Sequence, residues 1–190
     1  MKLATTPEDF VVEELPLFAP SGEGTHTYLE IEKWRLDTDR VARVLARAAA
    51  VPAKEVGYAG RKDRHAITRQ WFSVPGLDPD RAAELGEDGD AGFRVLRATR
   101  HAHKLRTGQL RGNRFRLCVR EIGRAERERA DAALPRIRDG GFPNRFGAQR
   151  FGRDGDNAER GREILLGGRV GRDRRAARFL VSAWQADLFN

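Results

Sequence analysis

The residues best suited to chemistry lie in one stretch, Gly57-Tyr58-Ala59-Gly60-Arg61-Lys62-Asp63-Arg64-His65. Asp63 is a carboxylate set among cations, and neighbouring positive charge favours the ionised form. An ionised carboxylate serves as nucleophile or base without a metal. The same pattern also fits a surface ion cluster, so both readings stand at this point. It does not fit a phosphate loop. Such a loop needs four residues between its glycines and Ser or Thr after Lys; here two residues intervene and Asp63 follows Lys62. His65 is either a general base or a hydrogen-bonding loop residue.

A second candidate is Asn113-Arg114-Phe115-Arg116-Leu117-Cys118-Val119-Arg120, where side chains alternate. Asn113, Phe115, Leu117 and Val119 point one way, and this face is expected to be core. At the mouth of a core, Phe115 and Asn113 would suit a planar base, the ring stacking and the amide hydrogen-bonding. A buried Phe with a capping Asn fits equally. Metal chemistry finds little support. His101 and His103 with Cys118 lack zinc spacing, and Asp154-Gly155-Asp156-Asn157 lacks the fifth-position ligand and closing Glu of a calcium loop. No G-x-S-x-G elbow is present.

These residues need elements to hold them. Residues 10–15 and 25–34 read as strands, the second alternating Leu29 and Ile31 against Glu30 and Glu32. Asp37 or Thr38 opens a helix with the stripe Val41, Val44, Leu45 and Ala48, limited by Pro52. Residues 56–65 read as loop, whereas 66–74, 93–99 and 113–120 read as strands. Helices are expected over 124–139, with Pro135 as a kink, over 158–166, and from 178 to the end. That last segment shows no capping residue and no polar tail, which predicts a chain cut from a longer one. Runs of strands with separate helices predict an α+β fold with a mixed or antiparallel sheet and flanking helices.

Charge narrows the partner. The 190 residues carry 36 Lys and Arg against 28 Asp and Glu, a net charge of +8, with 34% charged residues. Cations other than Lys2, Lys33, Lys54, Lys62 and Lys104 are arginines, which fork onto phosphate oxygens. From Ala91 to Arg120 there is no carboxylate. Arg97, Arg100, Lys104, Arg106, Arg111, Arg114 and Arg116 are therefore expected to form a field that is not self-cancelled, suited to RNA. One cysteine, Cys118, excludes an internal disulfide framework. No apolar run reaches the ~18 residues of a membrane span, and no signal-peptide core follows Met1. A soluble, cytoplasmic protein is expected.

Taken together, the chain resembles the TruD family of tRNA pseudouridine synthases. The matching stretches begin with Glu8-Asp9-Phe10-Val11-Val12-Glu13, then Gly24-Thr25-His26-Thr27-Tyr28 leading to Glu32-Lys33. The loop Val56 to Ala66 and Thr68-Arg69-Gln70 follow. Then come Gly112-Asn113-Arg114-Phe115, the block Pro143-Asn144-Arg145-Phe146-Gly147-Ala148-Gln149-Arg150-Phe151-Gly152, and Leu180-Val181-Ser182-Ala183-Trp184-Gln185. The resemblance implies isomerisation of a tRNA uridine, at position 13 of the D arm, with no metal or organic cofactor; a monomer is expected. It implies Asp63 as the catalytic aspartate, Phe115 as the stacking aromatic and Asn113 as the active-site Asn. Arg61 and Lys62 match the block's cations and are expected to support substrate electrostatically. It also implies a domain division: residues 1–141 as the N-terminal part of the catalytic domain, and 142–190 as the start of a family-specific insertion. The alternative is an RNA-binding fragment without turnover.

Overall fold

Alternating side chains decide the strands, and one amphipathic helix decides which sheet face is covered. The computed structural model describes residues 2–3, 5–168 and 173–190. They form two compact units, Met1–Arg124 and Ala125–Asn190.

In the first unit β1 (Lys2–Leu3) and a 3-10 turn (Pro7–Asp9) precede β2 (Phe10–Pro16) and β3 (His26–Trp34). Helix α1 (Thr38–Ala48) and a 3-10 turn (Ala53–Glu55) lead to β4 (Gly57–Tyr58) and β5 (Ile67–Pro75). Then come α2 (Pro79–Ala83), β6 (Gly86–Glu87), β7 (Gly92–His101), β8 (Leu110–Leu117) and β9 (Val119–Arg120). The sheet order is β6-β7-β3-β5-β2-β8, with β4 also on β5. Its pairs are antiparallel except β2 with β5, so the sheet is mixed and the α+β expectation holds.

Leu29 and Ile31 of β3, Phe72 and Val74 of β5 and Phe93 of β7 meet Val41 and Leu45 of α1 in the core. Burying each such side chain contributes about 1.5–3 kcal/mol. The apolar positions of α1 recur at three- and four-residue spacing, which puts them on one stripe.

Strand β8 departs from expectation. It lies at the sheet edge, paired with β2 alone. The face expected to be core is open: Phe115 is 59% exposed, Leu117 55% and Val119 39%. The reason is lateral, since the buried cluster around α1 draws on β3, β5 and β7 and includes no residue of β8. The strand also breaks at Cys118, whose N–H donates to the Asp9 carbonyl at 2.7 Å. Val119–Arg120 then pairs with Lys2–Leu3 as a separate ladder. Arg120 clamps the buried Asp9 carboxylate through Nη2 at 2.7 Å and Nε at 2.8 Å. These hydrogen bonds, with one from Thr5, hold the Asp9 carboxyl well below the usual range.

The second unit is helical. Helix α3 (Arg124–Gly140) begins at the junction and contains Pro135. A 3-10 turn (Ala148–Phe151), α4 (Asn157–Leu165) and α5 (Arg174–Phe189) follow. Helix α5 starts earlier than expected and is capped: the Asp173 carboxylate accepts from the N–H groups of Arg175 and Ala176 at 2.8 and 3.2 Å. Helices α4 and α5 touch at Gly161, where a Cβ would lie 2.1 Å from the Leu180 carbonyl oxygen. Among the described residues no helix is long and apolar enough to cross a membrane.

Candidate active site

The loop that carries Asp63 is fixed to the helix-covered sheet face by contacts at nearly every residue. It leaves β4 at Tyr58, whose hydroxyl donates to Asp39 Oδ1 at 2.7 Å. Arg61 Nη2 reaches the other oxygen of Asp39 at 2.8 Å. Gln70 of β5 donates Nε2 to the Gly60 carbonyl at 3.2 Å and accepts at Oε1 from the Thr38 hydroxyl at 2.9 Å. That hydroxyl oxygen accepts the Lys62 N–H at 3.0 Å. Lys62 Nζ ends on Glu14 Oε2 at 2.5 Å, a pair whose side chains are 5% and 1% exposed. Beneath the loop, Lys33 Nζ donates to the Asp63 carbonyl at 2.9 Å. The Asp63 carboxylate stays exposed, and its Oδ1 accepts the His65 N–H at 2.7 Å.

The cations expected to surround Asp63 therefore point elsewhere. Arg61 binds Asp39, Lys62 is buried on Glu14, and Arg64 Nε donates to the Arg35 carbonyl at 3.3 Å. Both side chains expected to support substrate, Arg61 and Lys62, shape the loop in this structure. The buried cation below Asp63 is Lys33, which is fully enclosed. Burial, joined by the nearby charge of Lys62, brings its pKa down to about 8, while Asp37 and Asp63 pull the other way.

Register places the remaining candidates. Phe115 pairs with Val12, Val12 with Thr68 and Thr68 with Lys33, so these four side chains form one row across the face. With about 4.8 Å between strands, Phe115 stands about 10 Å from Thr68 and about 14 Å from the Lys33 position. The Asp63 loop, seated on Lys33, and the exposed ring thus share one row. Asn113, opposite Glu14, starts the next row on the same face. The Phe115 ring is stacked with Phe10, centroids 6.2 Å apart at 19°. The Thr68 hydroxyl on this row is buried and has no partner among the described residues.

The sequence reading gives Phe10, Lys33, Thr38, Gln70 and Glu14 no role at the site. A signal exists for two of them. Lys33 and Gln70 sit at inward positions of alternating strands, where a polar residue demands a partner.

The basic run is only partly free. Arg114 faces Glu13 at 3.3 Å, Arg94 and Arg69 share Glu32 at 2.5 and 2.8 Å, and Arg97 lies 3.8 Å from Glu30 and over the Trp71 ring. Lys104 is 3.8 Å from Glu55. The expectation of an uncancelled field fails at these positions, because the acids come from neighbouring strands and turns rather than from the run itself. Among the described residues, Arg100, Arg106, Arg111 and Arg116 show no side-chain ion pair. His101 is a packing residue. Its ring lies between Phe18 and Tyr28, and its Nδ1 accepts the Ser21 N–H at 3.2 Å. No group of three or more His, Cys, Asp or Glu among the described residues could hold a metal.

Fold and site define an α+β protein whose mixed sheet displays a carboxylate loop and a stacked ring pair on one face. Comparison with known proteins is specific. Residues 1–172 match the family described as tRNA pseudouridine synthase D (TruD). The tRNA pseudouridine synthase D of Anaeromyxobacter sp. strain Fw109-5 is 48% identical over 195 residues, covering 99% of this chain and 54% of that protein. A Thermus thermophilus protein of the same description is 42% identical over 189 residues, covering all of this chain and 52% of its own length. A Methanosarcina mazei crystal structure, described as a putative tRNA pseudouridine synthase D, superposes with a TM-score of 0.70 at 32% identity, over 87% of this chain and 38% of that one. The chain belongs to the TruD family. It spans about half the length of the curated relatives it matches.

Proposed function

We propose that the protein acts in tRNA pseudouridine formation, with Asp63 as the reacting carboxylate and the uridine at position 13 of the D arm as its substrate. The observation that carries this is the shared row: an exposed aspartate loop, bolted down from below, lies on the same sheet face as an exposed ring about 14 Å along it. The names of its relatives supply the substrate class.

The chemistry balances without an external reagent. The N1–C1′ bond breaks, uracil turns over, a C5–C1′ bond forms, C5 loses its proton and N1 gains one. Asp63 assists either by adding to C1′ as uracil departs and leaving again when C5 attacks, or by taking the C2′ proton and returning it as C5 joins C1′. Its backbone is pinned by Lys33 while its side chain is exposed, which suits a group that must meet a sugar. Taking the nucleotide out of its stack costs a few kcal/mol. Phe115, seated on Phe10, offers a stacking surface that offsets about 1–3 kcal/mol of this, and Asn113 supplies an amide beside it. Arg100, Arg106, Arg111 and Arg116 supply unpaired positive charge. Residues 1–141 belong in this reading to the catalytic domain, and 142–190 to the family insertion.

Incubation with tRNA followed by carbodiimide treatment and primer extension tests the reading. A stop at position 13 with the parent chain, absent with folded Asp63→Asn, supports it. An equal stop with Asp63→Asn overturns it.

A further inference from the structure

The charges divide into a compensated set and a free set, and two of the free cations, Lys54 and Arg106, meet at one groove. On the sheet surface away from α1, Arg69 of β5, Arg94 and Arg97 of β7 and Arg114 of β8 are matched by Glu13, Glu30 and Glu32. At the β4 end the balance differs. An open groove of about 340 Å³ runs between residues 53–58 and 104–107. Lys54, Lys104 and Arg106 line it, against one nearby carboxylate, Glu55. The Lys54 ammonium and the Arg106 guanidinium have no partner among the described residues. Lys104 Nζ is held by the Lys54 carbonyl at 2.6 Å, so it is oriented before any ligand arrives.

The groove is a built feature. Gly57 lines it, and a Cβ there would fall 2.2 Å from the Leu105 carbonyl oxygen and 3.0 Å from Lys104 Cγ. Leu105 is tied in turn to β5 by its N–H on the Ser73 hydroxyl at 2.8 Å. Positive charge at this end also reaches His26, whose pKa is lowered first by burial and then by Lys104, His101 and His103.

We infer that this groove holds the sugar–phosphate backbone of the RNA substrate, with Lys54, Lys104 and Arg106 as its phosphate ligands. Its wall, Gly57 and Tyr58, is the start of the loop that carries Asp63. Five residues span at most about 17 Å, so an RNA strand with its target at Asp63 passes the groove within a few nucleotides. The inference rests on the proposed reading that the protein acts on RNA. It assigns Lys54, which composition alone did not mark, and it removes Arg97 and Arg114 from the phosphate path.

Salt-dependent binding of unmodified tRNA to the 190-residue chain tests it, read by fluorescence anisotropy. Two double variants remove equal charge from exposed side chains: Lys54→Gln with Arg106→Gln in the groove, and Arg97→Gln with Arg114→Gln on the compensated face. Circular dichroism melts confirm that each is folded. The groove pair should weaken binding at least about tenfold and flatten the log–log salt slope by about 1 per lost cation. The other pair should stay within about twofold, because its cations already have partners. Equal loss in both pairs, or no loss in the groove pair, overturns the groove while leaving RNA binding intact. Failure of the parent chain to bind tRNA overturns the RNA reading itself, and the groove with it.

Discussion

Lys33 occupies a position where an aliphatic side chain would be easier to bury. It is fully enclosed on the inward face of β3, and its ammonium donates to the Asp63 carbonyl. Below about pH 8 the ammonium is charged in folded and unfolded chains alike, and burial opposes folding in full. Between about 8 and the ordinary 10.5, the unfolded chain keeps a proton the folded one has released, so stability rises with pH. Urea unfolding at pH 8 to 10 should show this rise in the parent and not in Lys33→Met. Tyr28, raised to about 12 by burial, acts in the opposite sense above pH 10 and leaves the window clear. Glu14 poses the reverse case, a buried anion matched to Lys62. Glu14→Ala strands that ammonium and should cost about 3–5 kcal/mol by chemical denaturation. Phe115→Ala separates function from stability. The ring is largely exposed, so the change should move stability by under about 0.5 kcal/mol, yet remove about 1–3 kcal/mol of base stacking from tRNA binding. Asp63 was open to proposal from its own neighbours, though Arg61, Lys62 and Arg64 turn to other partners in the fold. Lys33 and Glu14 were not, because they stand 30 residues from Asp63 and 48 from Lys62, and register alone brings them there.

At the scale of elements, alternation and helical spacing located the main strands and α1 closely. What they could not locate was lateral order. The run 113–120 has clean period two, and a period-two strand in mid-sheet would bury one face. Here the strand is an edge, so its apolar residues remain open. Capping at Asp173 went unseen because the helix begins before its apolar stretch. The α4–α5 contact makes a signed prediction. In an exposed helix, Gly→Ala stabilises by about 1 kcal/mol. At Gly161 the added Cβ would strike the Leu180 backbone, so Gly161→Ala should instead destabilise the second unit by about 1–3 kcal/mol in thermal or chemical unfolding.

For the whole molecule, net charge of +8 says less than its distribution. A linear window counts the arginines of β7 and β8 but not the glutamates that β2 and β3 set opposite them. Part of the excess that remains, Lys54 and Arg106, lines the groove at the start of the loop bearing Asp63, where a polyanion would help to place a nucleotide. Family membership, a fixed loop and an exposed ring on one face all bear on the proposed reaction, in which a C5–H bond must break. Release of tritium from tRNA labelled at uridine C5 measures that bond directly. Release by the parent chain and only background release by folded Asp63→Asn are expected; equal release from both, or none from either, would overturn the role of Asp63.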